Sequence, residues 1–336
     1  MKSGRNARLM PAPRDGALPG GFHSSTNHPT EVRVGGVWIR VGRQKMDAAI
    51  VVASDGLRAE CRVMGDVKEG ERVVVGEDGV RLLEVRGARE AGAAFGFMSS
   101  VVSSEKPTAG LTDRVARVIL EAKSAGEKIC VVAGPAVVHT GAQGALARLI
   151  RRGVVDVLLG GNALAAHDIE HQLYGTSLGC GQDGGAHPNG HRHHLYAINE
   201  VRSAGSIAAL IRARRLRGGI LYEATKRGIP VVLAGSIRDD GPLPEVVTDV
   251  LESQRRMRDA LEGVGVTLML ATLLHSIAVG NLLGSHVRTV CVDINPSAVT
   301  KLADRGTAHA VGIVTDVGTW LPALEAALAR VRRGRR

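Results

Sequence analysis

Aromatic side chains are nearly absent: three Phe, three Tyr and two Trp in 336 residues. A nucleic-acid reader that stacks bases on rings has little to work with here. The core must instead be built from Val, Leu, Ile and Ala, the composition of a parallel sheet covered by helices on both faces. Cysteine is equally sparse. Cys61, Cys130, Cys180 and Cys291 stand far apart with no Cys-x-x-Cys pair, which argues against a zinc ribbon or a disulfide framework. Cys130 and Cys291 fall inside apolar strand patterns and read as small core residues. No run reaches the ~18 consecutive apolar residues of a membrane span. The Arg-, Pro- and Gly-rich N-terminus lacks the apolar stretch of a secretory signal. A cytoplasmic protein with no membrane partner is expected.

The formal charge of +10 sits at the ends. Residues 1–15 carry Lys2, Arg5, Arg8 and Arg14 against Asp15, and residues 330–336 carry five arginines. The remainder is nearly balanced. Basic tails bring salt-sensitive attraction to polyanions, but nothing marks a reading surface, so no specific nucleic-acid partner is expected.

The chain is long enough for a large α/β domain and a smaller one. Residues 1–20 read as a flexible basic leader, 21–110 as a small antiparallel β domain with its linker, 111–330 as an α/β domain and 331–336 as a basic tail. In the β region, short alternating strands from Glu31 to Val85 are separated by the turn dipeptides Gly35-Gly36, Asp55-Gly56 and Asp78-Gly79. Residues 86–110 connect the β region to the α/β domain.

From about residue 111 strands and helices alternate. Apolar strands are expected at 129–133, 155–159, 231–234, 266–270, 287–292 and 308–314. Helices are expected at 112–124, 142–152, 162–172, within 192–228, at 243–262, after Thr272, after Pro296 and at 317–333. Six short strands separated by helices predict a doubly wound, mostly parallel, Rossmann-like sheet, with no internal repeat. Ligands of such sheets sit beyond the carboxyl ends of the strands.

Those ends are polar or glycine-rich. They read Gly134 to Gly141 after the first strand, Gly160-Gly161-Asn162-Ala163 after the second, and Gly235 to Pro242 after the third. The later strands run into Ala271-Thr272-Leu273-Leu274-His275, Asp293-Ile294-Asn295-Pro296 and Thr315-Asp316-Val317. An acid at a strand end before a helix suits the hydroxyls of a nucleotide ribose, and Asp293 and Asn295 fit that role or simple helix capping. Thr140-Gly141 opens a helix suited to a phosphate. Along one rim, a dinucleotide is the natural occupant. Gly179-Cys180-Gly181-Gln182-Asp183-Gly184 matches Gly-x-Gly-x-x-Gly, yet no strand precedes it and no helix starts inside it, so it reads as loop. The glycine-rich stretch from Gly175 to Gly190 reads as a substrate-closing lid. His167 and His171, and the cluster His187, His191, His193 and His194, have no HExxH context, and no metal site is assigned. Arg238-Asp239-Asp240 is the most charged strand end, suited to a general base and a carboxylate clamp.

Long strings carry a resemblance: LPGGFHSSTNHPT (18–30), FMSSVVSSEKP (97–107), GPAVVHTGA (134–142), GNALAAHDIE (161–170), GHRHHLYAINEV (190–201), LAGSIRDDGPLPEVVTDV (233–250), LATLLHSIAVGN (270–281), VDINP (292–296) and GIVTDVG (312–318). Over residues 18–325 the chain resembles the archaeal-type NAD-dependent ornithine cyclodeaminases. These share their C-terminal region with cyanobacterial bifunctional arginine dihydrolase/ornithine cyclodeaminases, a region also known as a lysine-oxoglutarate reductase/saccharopine dehydrogenase domain. The resemblance implies conversion of L-ornithine to L-proline and ammonia with NAD recycled internally. It implies NAD contacts around Asn162, Ala163, Asp240, Thr272, Leu273, Leu274, His275, Asp293, Asp316 and Val317. Asn295 joins them through an Ile-Asn…Thr segment similar to the ribose segment of sirtuin and deoxyhypusine-synthase-like folds. Family members usually carry further residues before the Leu-Pro-x-Gly-Phe segment, and arginine hydrolysis is not expected without the dihydrolase domain and its nucleophilic cysteine. For the chemistry, Asp239 or Asp240 is expected as base, Arg238 as carboxylate clamp, and His139 or Glu223 as further polar contacts. A homo-oligomer is expected. The alternatives are an NAD-dependent amino-acid dehydrogenase or amine transferase, which would accumulate NADH or need a second amine, and a non-catalytic NAD sensor.

Overall fold

The computed structural model describes residues 4–83, 108–181, 185, 190–239, 241–304 and 310–334. The segment 97–107, Asp240, His187 and much of the expected lid lie outside the described residues. Two compact units emerge, and neither follows a single cut in the chain.

The first unit holds β1 (Arg8–Pro11), β2 (Thr30–Val34), β3 (Val37–Gly42), β4 (Ala49–Val52), β5 (Ala59–Arg62), β6 (Arg72–Val75) and β7 (Val80–Leu82). They form a seven-stranded sheet in the order β1-β6-β4-β5-β3-β2-β7. All pairings are antiparallel except β3 with β5, where Val41 and Gly42 run parallel to Ala59 and Glu60. Along β4 successive side chains alternate between two clusters. Ile50 and Val52 join Val32, Val41, Cys61 and Val74, while Ala49 and Val51 join Val67 and Val73. Both faces are therefore buried, as the unbroken apolar run Ala49–Val52 requires.

Two expectations fail in this unit. Residues 8–11 are not a flexible leader but β1, paired antiparallel with β6, Leu9 facing Val74. Charge masked the signal: Ala7 and Ala12 are buried and Leu9 packs on the core, while Arg8 stays exposed. The unit also takes in Ala278–Val287 from far along the chain. Asn281 accepts from Met46 N at 3.2 Å, and Ser285 N donates to Asn27 at 2.9 Å.

The second unit is the doubly wound one. In chain order it contains α1 (Thr108–Ser124), β8 (Lys128–Ala133), α2 (Ala136–His139), α3 (Gln143–Arg151), β9 (Val157–Gly161), α4 (Asn162–Tyr174), β10 (Thr176–Ser177) and β11 (Cys180–Gly181). There follow α5 (His193–Ala204), α6 (Ile207–Arg212), α7 (Ile220–Arg227), β12 (Val231–Ala234), β13 (Val246–Val247), α8 (Val250–Ala260) and β14 (Val264–Leu270). The last elements are the start of α9 (Leu273–Leu282), whose residues from Ala278 on belong to the first unit, then β15 (Arg288–Asp293), α10 (Pro296–Asp304), β16 (Ala310–Val314) and α11 (Val317–Gly334). The sheet order is β13-β12-β9-β8-β14-β15-β16, every pair parallel. Every residue of β9 and β14 is buried, consistent with helices on both faces. Among the described residues no helix is long and apolar enough to cross a membrane.

The helix expected from Leu243 starts instead at Val250. Pro244 and the β-branched pair Val246-Val247 favour an extended chain, which adds β13 to the edge of the sheet. Asp249 then caps the helix, its carboxylate accepting from Glu252 N at 2.8 Å.

Candidate active site

The first strand of this sheet, β8, lies in its middle. The chain builds outward to β9, β12 and β13, then returns to lay β14, β15 and β16 on the other side. The order reverses between β8 and β14, and the crevice beyond their carboxyl ends is where such sheets take a ligand. Gly134, just past β8, sets its width. A Cβ there would stand 2.1 Å from the Ala271 carbonyl oxygen, and Gly134 N donates to Leu270 O at 2.9 Å. Across from it Ala271 holds φ at +48°, a left-handed conformation unusual for a residue with a side chain. At this crossing β14 turns sharply into α9.

The neighbouring strand end is equally tight. Gly161 closes β9 and leads into α4 with no side chain capping the helix, so the first-turn N–H groups are available to an anion. Ala163 in that turn is exposed. His275 from α9 reaches over to Gly161, where an added Cβ would lie 2.7 Å from its Cε1. Burial lowers the His275 pKa, and the Asp239 carboxylate beyond β12 opposes that shift.

A second group of polar side chains gathers around α2, α4 and α5. His139 Nδ1 lies 2.6 Å from Ser177 Oγ, and its ring meets His167 edge-on with centroids 4.7 Å apart. Burial, with His167 adding to it, pushes the His139 pKa down to about 4, so this imidazole is neutral and proton-accepting at ordinary pH. His167 Nδ1 lies 2.7 Å from Glu170 Oε2, while Glu170 Oε1 accepts from Thr176 Oγ1 at 2.9 Å and Gly179 N at 3.3 Å. Burial works to raise the Glu170 pKa, but these donors outweigh it and hold the carboxyl below its ordinary value. His193 Nδ1 is 2.8 Å from Thr176 Oγ1 and its ring stacks on Tyr174 at 4.9 Å.

Several expected site residues have other tasks. Asn162 is buried, and its Oδ1 accepts from Leu243 N at 3.0 Å, tying α4 to the segment before β13. Asn295 caps α10 through Ser297 N at 2.9 Å, and Asp316 caps α11 through Gly318 N at 2.9 Å. Val317 is core, 3% exposed. Both oxygens of Asp239 are engaged by Ser236, Oδ2 by its N–H at 2.8 Å and Oδ1 by its hydroxyl at 3.2 Å, which disfavours it as a free base. Glu223 faces α3 and lies 3.6 Å from Arg151 Nη1, so it leaves the candidate chemistry. An acid on α7 with a basic residue at the end of α3 forms a helix–helix pair, which single-sequence reading cannot anticipate.

Other expectations land on the rim. Asp293 is half-buried at the end of β15, with Oδ1 accepting from Asn295 N at 2.8 Å. Leu273 and Leu274 are exposed, as is Arg238 on the turn after β12. Thr272 is half-buried beside Gly134. The described start of the expected lid is tied down: β10 and β11 pair, and a Cβ on Gly190 would lie 2.2 Å from Gly179 O. Glu170, Thr176 and Ser177 were not anticipated. The signal for Glu170 was present as His167-x-x-Glu170, three residues apart on one helical face. Asp168, also missed, is fully buried and accepts from Ile220 N and Leu221 N at 2.9 Å each, capping α7.

Comparison with known proteins gives a consistent result. Residues 113–324 match the family described as arginine dihydrolase ArgZ-like, C-terminal, Rossmann fold, and residues 29–112 match the first region of the same C-terminal part. An ornithine cyclodeaminase of Methanocaldococcus jannaschii is 53% identical over 331 residues, covering 97% of this chain and 78% of that protein. A crystal structure from Methanococcus maripaludis S2, of a conserved protein assigned to the LOR/SDH group, matches with a TM-score of 0.91 at 48% identity, covering 98% of this chain and 99% of that one. The ternary complex of AgrE with ornithine and NAD+ matches at 45% identity with a TM-score of 0.66, over 99% of this chain and 47% of that one. AgrE is the bifunctional arginine dihydrolase/ornithine cyclodeaminase of Nostoc sp..

Proposed function

The chain belongs to the arginine dihydrolase ArgZ-like C-terminal family, and we propose that it is an ornithine cyclodeaminase, converting L-ornithine to L-proline and ammonia with NAD recycled in each turnover. One observation carries the reading: a neutral imidazole, His139, ends the short helix Ala136–His139 that follows β8, the strand whose end forms one wall of the switch-point crevice. A coenzyme suits the residues at that crevice. Gly134 leaves no side chain over the β8 end, the start of α4 is uncapped and suits a pyrophosphate, and Asp293 at the end of β15 suits ribose hydroxyls. Bound there, NAD would take a hydride from the ornithine α-carbon and return it to the cyclic imine formed once the δ-amine has added and ammonia has left.

The protein's own part is proton handling and orientation. Hydride loss requires the substrate α-amine to give up a proton, and His139, neutral at ordinary pH, takes the role of acceptor. Ser177 orients it through the 2.6 Å contact at Nδ1, leaving Nε2 to face the substrate. Arg238, exposed on the turn after β12, holds the substrate carboxylate as a bidentate clamp. Thr272, just before α9, stands beside Gly134 at the end of β8, and His275 within α9 stands beside Gly161 at the end of β9.

The test is turnover by the purified protein with substoichiometric NAD. Proline and ammonia should form in equal amounts with no accumulation of NADH. Stoichiometric NADH would instead indicate an amino-acid dehydrogenase, and tight NAD binding without turnover of any diamine would indicate a sensor.

A further inference from the structure

Glu170 is the most deeply buried acid of the second polar cluster, with its side chain wholly removed from solvent. Its partners form a directed chain. The Thr176 hydroxyl donates its one proton to Glu170, so the 2.8 Å contact to His193 Nδ1 requires that nitrogen to be the donor. On the other oxygen, a carboxylate accepts, so His167 Nδ1 carries its proton toward Glu170 and Nε2 keeps its lone pair. His167 in turn meets His139 edge to face.

We propose that Glu170 is a positioning residue for the reaction: it fixes the tautomer and ring orientation of His167, the imidazole packed edge-on against His139, and so holds His139 in place to take the proton from the substrate amine. The proton taken from the substrate ammonium stays on His139 and returns from it to the departing amine, so the imidazole ends the cycle neutral. The inference rests on the cyclodeaminase reading and adds to it a residue outside the crevice. The titratable groups facing Glu170 are His167 and His171 from its own helix, His139 from α2 and His193 from α5, joined by the Thr176 hydroxyl.

A purely structural role is the competing explanation, because Glu170 also anchors Thr176 and Gly179. Glu170→Gln separates the two. The amide oxygen still accepts from Thr176 and Gly179, but its NH2 faces His167 Nδ1 and forces the proton onto Nε2. Wrong-tautomer imidazoles in hydrolytic triads cost up to about 10⁴ in kcat. Here a fall of roughly 10²–10⁴ in kcat is expected, with KM for ornithine and NAD affinity within about threefold of wild type, and a displaced acid limb of the pH–kcat profile. Glu170→Asp should recover part of the rate. Thr176→Val, which cuts the anchor but spares the Glu170–His167 pair, should lose far less. Imidazole ¹⁵N spectra of the full-length protein read the tautomer independently of turnover: His167 should carry its proton on Nδ1 in wild type and on Nε2 in the Gln variant. A Gln variant with the swapped tautomer and near wild-type kcat would overturn the proposal, as would a His167 protonated on Nε2 in wild type or a Thr176→Val loss equal to that of Gln. A wild-type protein inert toward ornithine would instead count against the cyclodeaminase reading, while the spectra would still decide whether Glu170 sets the tautomer.

Discussion

Replacing Gly134 with alanine tests whether the crevice width is set by backbone contact. The new methyl would stand 2.1 Å from the Ala271 oxygen and 3.0 Å from both the Ala271 carbonyl carbon and Thr272 Cβ, against the 3.4 Å at which ordinary contact begins. The ends of β8 and β14 would have to part by roughly 1 Å. No rotamer change relieves this, because the nearest atoms are main chain. Resistance comes from Gly134 N to Leu270 O and from Ala271 N to Val292 O, each 2.9 Å. Overpacking of this kind costs about 1–3 kcal/mol, and backbone on both sides points to the upper half of that range. A shift of about 1 Å in a site also costs on the order of 10²-fold in rate. Urea unfolding of Gly134→Ala should therefore show a loss of about 2–3 kcal/mol, and NAD titration a drop in affinity of at least about tenfold. Gly144→Ala is the control. It lies in α3, where the added carbon meets only the flexible Arg148 guanidinium at 3.3 Å, and it should be neutral or stabilising by up to about 1 kcal/mol. A Gly134→Ala protein within about 0.5 kcal/mol of wild type and binding NAD equally well would refute the reasoning.

Two further outcomes concern the buried groups. The His139 pKa is about 4 in the fold against an ordinary 6.5, so as pH falls the unfolded chain takes the proton first and stability is lost between about 6.5 and 4. From pH 7 to 5.5 this one group removes about 1 kcal/mol. His139→Gln should flatten that share of the urea-midpoint slope, leaving the same-direction contributions of His171 and His275. Asp168→Ala strips the acceptors from Ile220 N and Leu221 N and should cost about 2–3 kcal/mol, with α7 amide hydrogens exchanging faster; unchanged exchange there would show that Asp168 is not the cap.

Much of the fold was legible because it is written in local patterns. Val231–Ala234 reads as a strand from four consecutive apolar residues, and Pro296 opens a helix as its fixed φ favours. One short-range cap was legible too: Asn295, read as a ribose contact or a helix cap, reaches Ser297 N two residues away, whereas the cap at Asp249 was hidden inside the helix expected from Leu243. What failed were assignments whose partner lies elsewhere in the chain. Leu9 looked like part of a charged leader until β6 supplied an edge to pair with.

A Val- and Leu-rich parallel sheet with polar strand ends can be read from the chain alone, because burial on both faces demands unbroken apolar runs and helix starts demand caps. Which polar side chains at those ends are already paired elsewhere depends on how the chain folds back on itself. Asn162 is spent on Leu243, 81 positions away, and Glu223 on Arg151 in another helix, whereas His139 is joined to Ser177 and His167. A hydrogen bond or a burial-shifted pKa depends on what lies within a few ångströms, and that distance is set by the packing of strands and helices rather than by separation along the chain.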